Sequence, residues 1–192
     1  MKKNKSVYIA LSADILHHGH INLIKKAKKL GNLTVGLLTD KAVLEKKRLP
    51  LLPWENRKKM LLSINGVSKV IPQDEWDYSK NLIKIKPDIM VHGDDWKDRN
   101  SYDYNLRQKV IGTLKKINCK LVEIPHTKDI SSSLLYSKMR HIGVDLVSRR
   151  NLLKRTLESK NFARIIETHS PLSALIAENI SYRQKDGKIE EF

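Results

Sequence analysis

The chain has 192 residues, of which 40% are hydrophobic and 30% charged, and it carries a formal net charge of +16. This balance belongs to a folded globular protein of one good-sized domain, or one domain plus a fragment of another, and excludes a disordered chain. No run approaches the roughly 18 apolar residues of a spanning helix, the basic start Met1-Lys2-Lys3-Asn4-Lys5 lacks a signal-peptide core, and the single Cys119 excludes an internal disulfide framework. A cytoplasmic protein with no membrane partner is expected. The positive charge has two readings, an anionic partner or a lysine-rich solvated surface. Lysines are scattered along nearly every helix without a recognisable nucleic-acid module, so a nucleic-acid partner is not expected.

In chain order, Val7 to Leu11 reads as a buried parallel strand. Ile21, Leu23, Ile24, Ala27 and Leu30 have helical spacing, with Gly31 as the stop. Leu33 to Thr39 is a second strand, Lys41 to Pro53 a basic proline-punctuated connection, Trp54 to Ile64 a helix and Val67 to Ile71 a short strand. Tyr78 to Ile85 is helical, Asp88 to His92 a strand, Tyr104 to Ile117 a helix, Cys119 to Ile124 a further strand and Ser131 to His141 a helix. The alternation predicts an α/β fold, a parallel sheet with helices on both faces.

Ligands of such sheets bind beyond the carboxyl ends of the strands. Four polar segments fall there: Asp14 to His20, Thr39-Asp40, Gly93 to Trp96 and His126 to Ser133. The first contains His17-His18-Gly19-His20, an H-x-G-H quartet at a strand-to-helix corner. Free backbone N–H groups and the helix dipole favour phosphate at such a corner, and both imidazoles share a face. His17 and His20 are therefore expected to bind phosphate, the alternatives being metal ligation or a structural role. Asp14 anchors the loop or helps hold magnesium. Lys46 and Arg48 cover a phosphate or belong to a solvated loop, and Arg57 is the stronger phosphate donor. Ser131 and Ser132 bind phosphate at a helix N-terminus or cap it.

These stretches, with Glu55-Asn56-Arg57-Lys58, Gly93-Asp94-Asp95-Trp96, and Thr127 with Ile130-Ser131-Ser132-Ser133, resemble the small bacterial cytidylyltransferases over residues 7–140. The resemblance implies a Rossmann-like nucleotidyltransferase fold, CTP as nucleotide, Mg2+, and a homodimer. It implies His17, His20, Lys46 and Arg57 as catalytic residues. For nucleotide binding it implies Leu11, Ser12, Ala13, Asp14, Gly19, Arg48, Gly93, Asp94, Thr127, Ile130, Ser131 and Ser132, with Asp94 near the base. The family's R-T-x-G-I-S-T-T stretch is here His126-Thr127-Lys128-Asp129-Ile130-Ser131-Ser132-Ser133, and an arginine after the third helix is Asn65. His126 and Asn65 are thus the expected acceptor contacts.

After Gly143 the pattern changes. Leu146 to Ser159 reads as a basic linking helix, Ala163 to Glu167 as strand-like and Leu172 to Ile180 as a short apolar helix, a C-terminal β/α extension. Glu167 to Asn179 and Asp186 to Phe192 resemble the opening of phosphoenolpyruvate mutase, whose barrel needs roughly 250 residues. The expected organisation is a cytidylyltransferase domain, 1–143, followed by a linker and truncated mutase-like start, 144–192, that contributes nothing to the active site. That junction makes the expected acceptor a phosphonate, such as 2-hydroxyethyl- or 2-aminoethylphosphonate. Glycerol 3-phosphate or phosphoethanolamine is the enzyme alternative, and a non-catalytic nucleotide- or nucleic-acid-binding module the alternative of another class.

Overall fold

A computed structural model of the chain describes residues 4–98, 103–127, 130–132, 135, 154–159, 167–179, 181–183 and 189–191. Five strands, β1 (Ser6–Leu11), β2 (Asn32–Leu38), β3 (Val67–Gln73), β4 (Ile89–Gly93) and β5 (Lys120–Ile124), form one parallel sheet in the order β3-β2-β1-β4-β5. This is the doubly wound, Rossmann-like order, with its switch point between β1 and β4. The helices are α1 (His18–Lys28), α2 (Asp40–Leu44), α3 (Trp54–Leu62), α4 (Ser79–Ile85) and α5 (Tyr104–Lys116), with a 3₁₀ turn over Asp94–Lys97. α2 lies inside the stretch expected to be a plain connection. Its start is set by Thr39, whose side-chain oxygen accepts from the Ala42 N–H, a local cap that apolar periodicity does not report.

Alternation along β1 distributes the core between the two faces of the sheet. Val7, Ile9 and Leu11 pack with Ile24 and Ala27 of α1 and Leu61 of α3, while Tyr8 and Ala10 face Leu82 of α4 and Val110 and Leu114 of α5. β3 is an edge strand, which is why it tolerates Pro72 opposite Leu37. Cys119 is buried, and burial pushes its thiol up to about 11, as expected of an inert core cysteine.

The C-terminal region adds elements that were not expected from the sequence. α6 (Pro171–Asn179) matches the expected apolar helix, but β6 (Ser181–Arg183) and β7 (Ile189–Glu191) pair antiparallel with each other, apart from the main sheet. Leu172, Leu175 and Ile176 are exposed. Of the expected strand at 163–167 only Glu167 is described, and it lies outside any strand; the rest of that segment and most of the helix over 131–141 lie outside the described residues. No helix among the described residues is long and apolar enough to cross a membrane.

One close approach fixes the sheet beneath the site. The Tyr8 ring lies over Gly36 of β2, where a Cβ would fall inside its hydroxyl group. That hydroxyl donates to Gln73 Oε1 at 2.6 Å, and Gln73 Nε2 donates to the Glu75 and Asp77 carbonyls, shaping the turn after β3. Gly36→Ala is therefore expected to displace Tyr8 and lower the unfolding free energy by about 2 kcal/mol, measured by urea titration.

Candidate active site

The H-x-G-H quartet opens α1. His17 is the N-cap, in extended backbone conformation, and its carbonyl accepts from His20 N–H at 3.0 Å. The His17 N–H donates to Nδ1 of His20 at 3.4 Å, which leaves the proton of a neutral His20 ring on Nε2. The two ring centroids are 3.9 Å apart. A Cβ at Gly19 would stand 2.9 Å from two atoms of the His17 ring, so this position is glycine because the imidazole folds back over the first turn. Burial, reinforced by His17, Lys47 and His126, depresses the His20 pKa to about 3. Burial, with His18 and His126, also lowers that of His17. Both rings are neutral at ordinary pH, and the buried Nδ1 of His17 has no partner among the described residues.

These rings face a cavity of about 230 Å³ at the carboxyl ends of β1, β2, β4 and β5. Of the expected residues, His17, His20, Leu11, Ser12, Gly19, Gly93, His126, Thr127, Ser131 and Ser132 line it. Ser132 Oγ donates to the Ile15 carbonyl at 3.2 Å, and Asn22 Nδ2 to Thr127 Oγ1 at 3.4 Å, tying the segment after β5 to α1 and to the loop before it.

Other expected site residues hold the scaffold. Arg57 is fully buried: its guanidinium donates to the carbonyls of Ser12, Leu38 and Leu52 and pairs with Asp40 at 2.7 Å. Its donors are engaged by these three carbonyls and by Asp40, so it is structural here and does not line the cavity. Asp14 resolves toward the loop anchor. Oδ1 accepts from Leu51 N–H at 2.6 Å and Oδ2 pairs with Arg48 at 2.8 Å, which occupies the groups a metal ion or a phosphate would need. Lys46 continues the turn after α2 through its N–H to the Val43 carbonyl, and the neighbouring Lys47 is the lysine that lines the cavity.

Asp94 Oδ1 accepts from His126 N–H at 2.7 Å, locking the end of β4 to the loop after β5, so Asp95 is the aspartate of that pair lining the wall. Asn65 takes Lys28 Nζ at 2.8 Å just before β3, at the amino-end rim of the sheet, and cannot touch an acceptor in the cavity. Ala13 is buried with φ of +46°, and neither it nor Ile130 is part of the wall.

The rest of the wall was only partly legible from motifs: His92 and Asp95 belong to the quoted β4 stretch, whereas Trp76, Tyr78 and Asp103 were missed. It comprises Trp76 and Tyr78 in the turn after β3, His92 at the end of β4, and Asp95 and Asp103. Trp76 Nε1 donates to Asp103 at 3.0 Å, and Lys47 Nζ sits 5.3 Å from the Trp76 ring centroid, a cation–π contact. The His92 ring stacks on Trp96 at 3.7 Å, its Nδ1 bonds the Gly93 carbonyl, and its Nε2 meets the Tyr78 hydroxyl at 3.4 Å. Trp96 is buried and donates to Glu123, whose pKa burial alone would raise but which Arg107, Trp96 and Lys97 pull down to about 2. The strand-end rule applied to β3 points to Trp76 and Tyr78, but neither belongs to a phosphate motif.

Two outcomes follow. Arg57→Met is expected to lower stability by about 3 kcal/mol through the uncompensated Asp40 and carbonyls, and any loss of turnover is expected to accompany that loss of stability, because Arg57 acts through the rim it holds. A large loss of turnover at unchanged stability would return Arg57 to the reaction. The neutral histidines also set a pH dependence. Their folded pKa values lie below the unfolded value of about 6.5, so the unfolded chain binds protons first. Stability is expected to be level above pH 7 and to fall from about pH 6.5 downward. For His20 the loss continues toward its folded value of about 3, and His20→Gln flattens this acid limb in urea titrations.

Comparison with known proteins agrees with this geometry. The Cytidylyltransferase-like family profile matches residues 12–138. Glycerol-3-phosphate cytidylyltransferase of Bacillus subtilis is 35% identical over 122 residues, covering 62% of this chain and 85% of that protein. FAD synthase of Archaeoglobus fulgidus is 32% identical over 114 residues, covering 56% and 83%. Among solved structures, the lipopolysaccharide core biosynthesis protein from Thermoplasma volcanium superposes with a TM-score of 0.55 at 26% identity, over 66% of this chain and all of that one. With its five-stranded parallel sheet and its histidine corner at the switch point, the chain belongs to the Cytidylyltransferase-like family of nucleotidyltransferases.

Proposed function

We propose that the chain transfers CMP from CTP to a phosphonate such as 2-hydroxyethyl- or 2-aminoethylphosphonate and releases pyrophosphate. One observation supports the chemistry above all others: His17, His20, Lys47, His126 and the Ser131-Ser132 helix start converge on a single cavity at the amino end of α1. These are donors and a cation around a place suited to a triphosphate. The phosphonate acceptor rests on the resemblance of residues beyond about 150 to the start of phosphoenolpyruvate mutase, with the domain boundary near residue 143.

A phosphonate oxygen, largely anionic near pH 7 like a phosphate monoester, attacks the α-phosphorus in line. The new P–O bond forms as the bond to the β-phosphate bridging oxygen breaks, and pyrophosphate leaves with that electron pair. No general base is needed, so catalysis is positioning and charge stabilisation. The Nε2–H of His20 and the unpaired nitrogen of His17 supply hydrogen bonds without carrying charge, and Lys47 supplies the cation. Asp95 is the carboxylate placed to accept from the cytosine amine. Mg2+, when bound, neutralises phosphate charge. No group of three or more metal-ligating side chains occurs among the described residues, so the ion would be held chiefly by the nucleotide's own phosphate oxygens. A homodimer is part of the same proposal.

The test is pyrophosphate release with CTP or ATP against each phosphonate, glycerol 3-phosphate and phosphoethanolamine. Turnover only with CTP and a phosphonate is the expected result. A glycerol 3-phosphate preference would place the chain with its Bacillus relative, an ATP preference would align its nucleotide with adenine-containing products, and no turnover would leave a binding module. With the productive pair, His20→Ala is expected to lower kcat at least about a hundredfold with little change in CTP affinity, since its hydrogen bond acts on charge developing in the transition state.

A further inference from the structure

Among the described residues beyond 138, where the family match ends, Arg155 returns to the nucleotidyltransferase domain. Arg155, on a helical stretch over 154–159, donates from Nη1 to the Leu51 carbonyl at 2.9 Å and from Nη2 to Asp40 Oδ2 at 2.9 Å. Leu51 is the residue whose N–H is already held by Asp14, so both of its backbone groups are pinned from outside the connection. Asp40 in turn divides its two oxygens between Arg57, inside the matched domain, and Arg155, outside it. The connection held in this way, residues 45–53, carries Lys47 to the cavity wall against Trp76.

We infer that Arg155 is a positioning residue: it straps the 45–53 connection to α2 and thereby holds Lys47 over the cavity. Lysine is a flexible cation that loses rotamer freedom when it is ordered. A connection fixed before nucleotide arrives spares that ordering during the reaction. The segment beyond the transferase, expected from sequence to be inert toward the active site, then sets the geometry of one of its walls. The kinetic part of this inference rests on the proposed nucleotidyl transfer, and the structural part does not.

The experiment uses the full chain and two readouts. Lys46, Lys47 and Arg48 are trypsin sites on the strapped connection, whereas Lys115 and Lys116 at the end of α5 are internal controls. In Arg155→Ala, cleavage at 46–48 is expected to rise about tenfold, the scale set by losing charge-assisted hydrogen bonds, with cleavage at 115–116 unchanged. Pyrophosphate release, assayed well below the melting point, is expected to lose about tenfold in kcat with KM for the acceptor preserved. Arg155→Lys keeps one of the two bonds and gives intermediate values; it carries both measurements should the alanine variant not fold. Lys154→Ala, an exposed neighbour paired only loosely with Glu158, behaves as the parent. Unchanged cleavage at 46–48, or unchanged kcat in an active enzyme, overturns the inference. If the parent chain releases no pyrophosphate from any nucleotide, it is the functional reading that fails. The proteolysis then decides the strap alone, faster cleavage upholding it and unchanged cleavage overturning it.

Discussion

A single buried guanidinium holds together the rim on which this site is built. Where parallel strands end, their last carbonyls lose the ladder that satisfied them, and a cavity at those ends cannot leave them bare and dry. Arg57 answers this for two strands at once, donating to Ser12 after β1 and Leu38 at the end of β2, and to Leu52 across the connection. Asp40 balances the charge that burial would otherwise penalise. The exits of β1 and β2 are thereby fixed relative to each other, and so is the loop that leads to His17.

A second set of fastenings works outward from that knot. Asp14 holds Leu51 and Arg48, Ser132 holds the carbonyl of Ile15, and Asp94 holds the backbone of His126. Each joins a loop after one strand to a loop after another, so the rim behaves as one body and not as four independent loops. The price of this rigidity is that several charged residues are used up in the scaffold. What remains facing the cavity carries little net charge: two imidazoles kept uncharged by burial, hydroxyl groups, the Asp95 and Asp103 carboxylates, and Lys47 as the cation against Trp76. In the proposed reaction such a site would stabilise phosphate charge by directed hydrogen bonds at a helix start more than by net positive charge. The overall charge of +16 is therefore a poor guide to the local chemistry.

The sequence alone was enough for the order of strands and helices through Ile124 and for the histidine corner. Alternation in Val7 to Leu11, the spacing of Ile24 and Ala27, and the H-x-G-H quartet are local signals, written in residues close together in the chain. The exceptions were also local, such as the Thr39 cap that starts α2 within a stretch read as a connection. Which side chain of a motif faces the ligand was not legible. Lys46 and Lys47 are neighbours on a turn, as are Asp94 and Asp95, and one residue of rotation decides whether a group meets the cavity or the scaffold. Arg57 and Asp14 have the composition of phosphate and metal ligands, and only the carbonyls and the arginine brought to them by distant segments show that they are occupied. The same holds for Asn65, which stands at the far rim of the sheet, and for Arg155, whose partners lie more than 100 residues earlier. Periodicity and motif determine elements because backbone geometry repeats over a few residues. The allocation of each polar group between scaffold and ligand belongs to the tertiary structure, because it depends on which unsatisfied backbone groups the fold brings within reach.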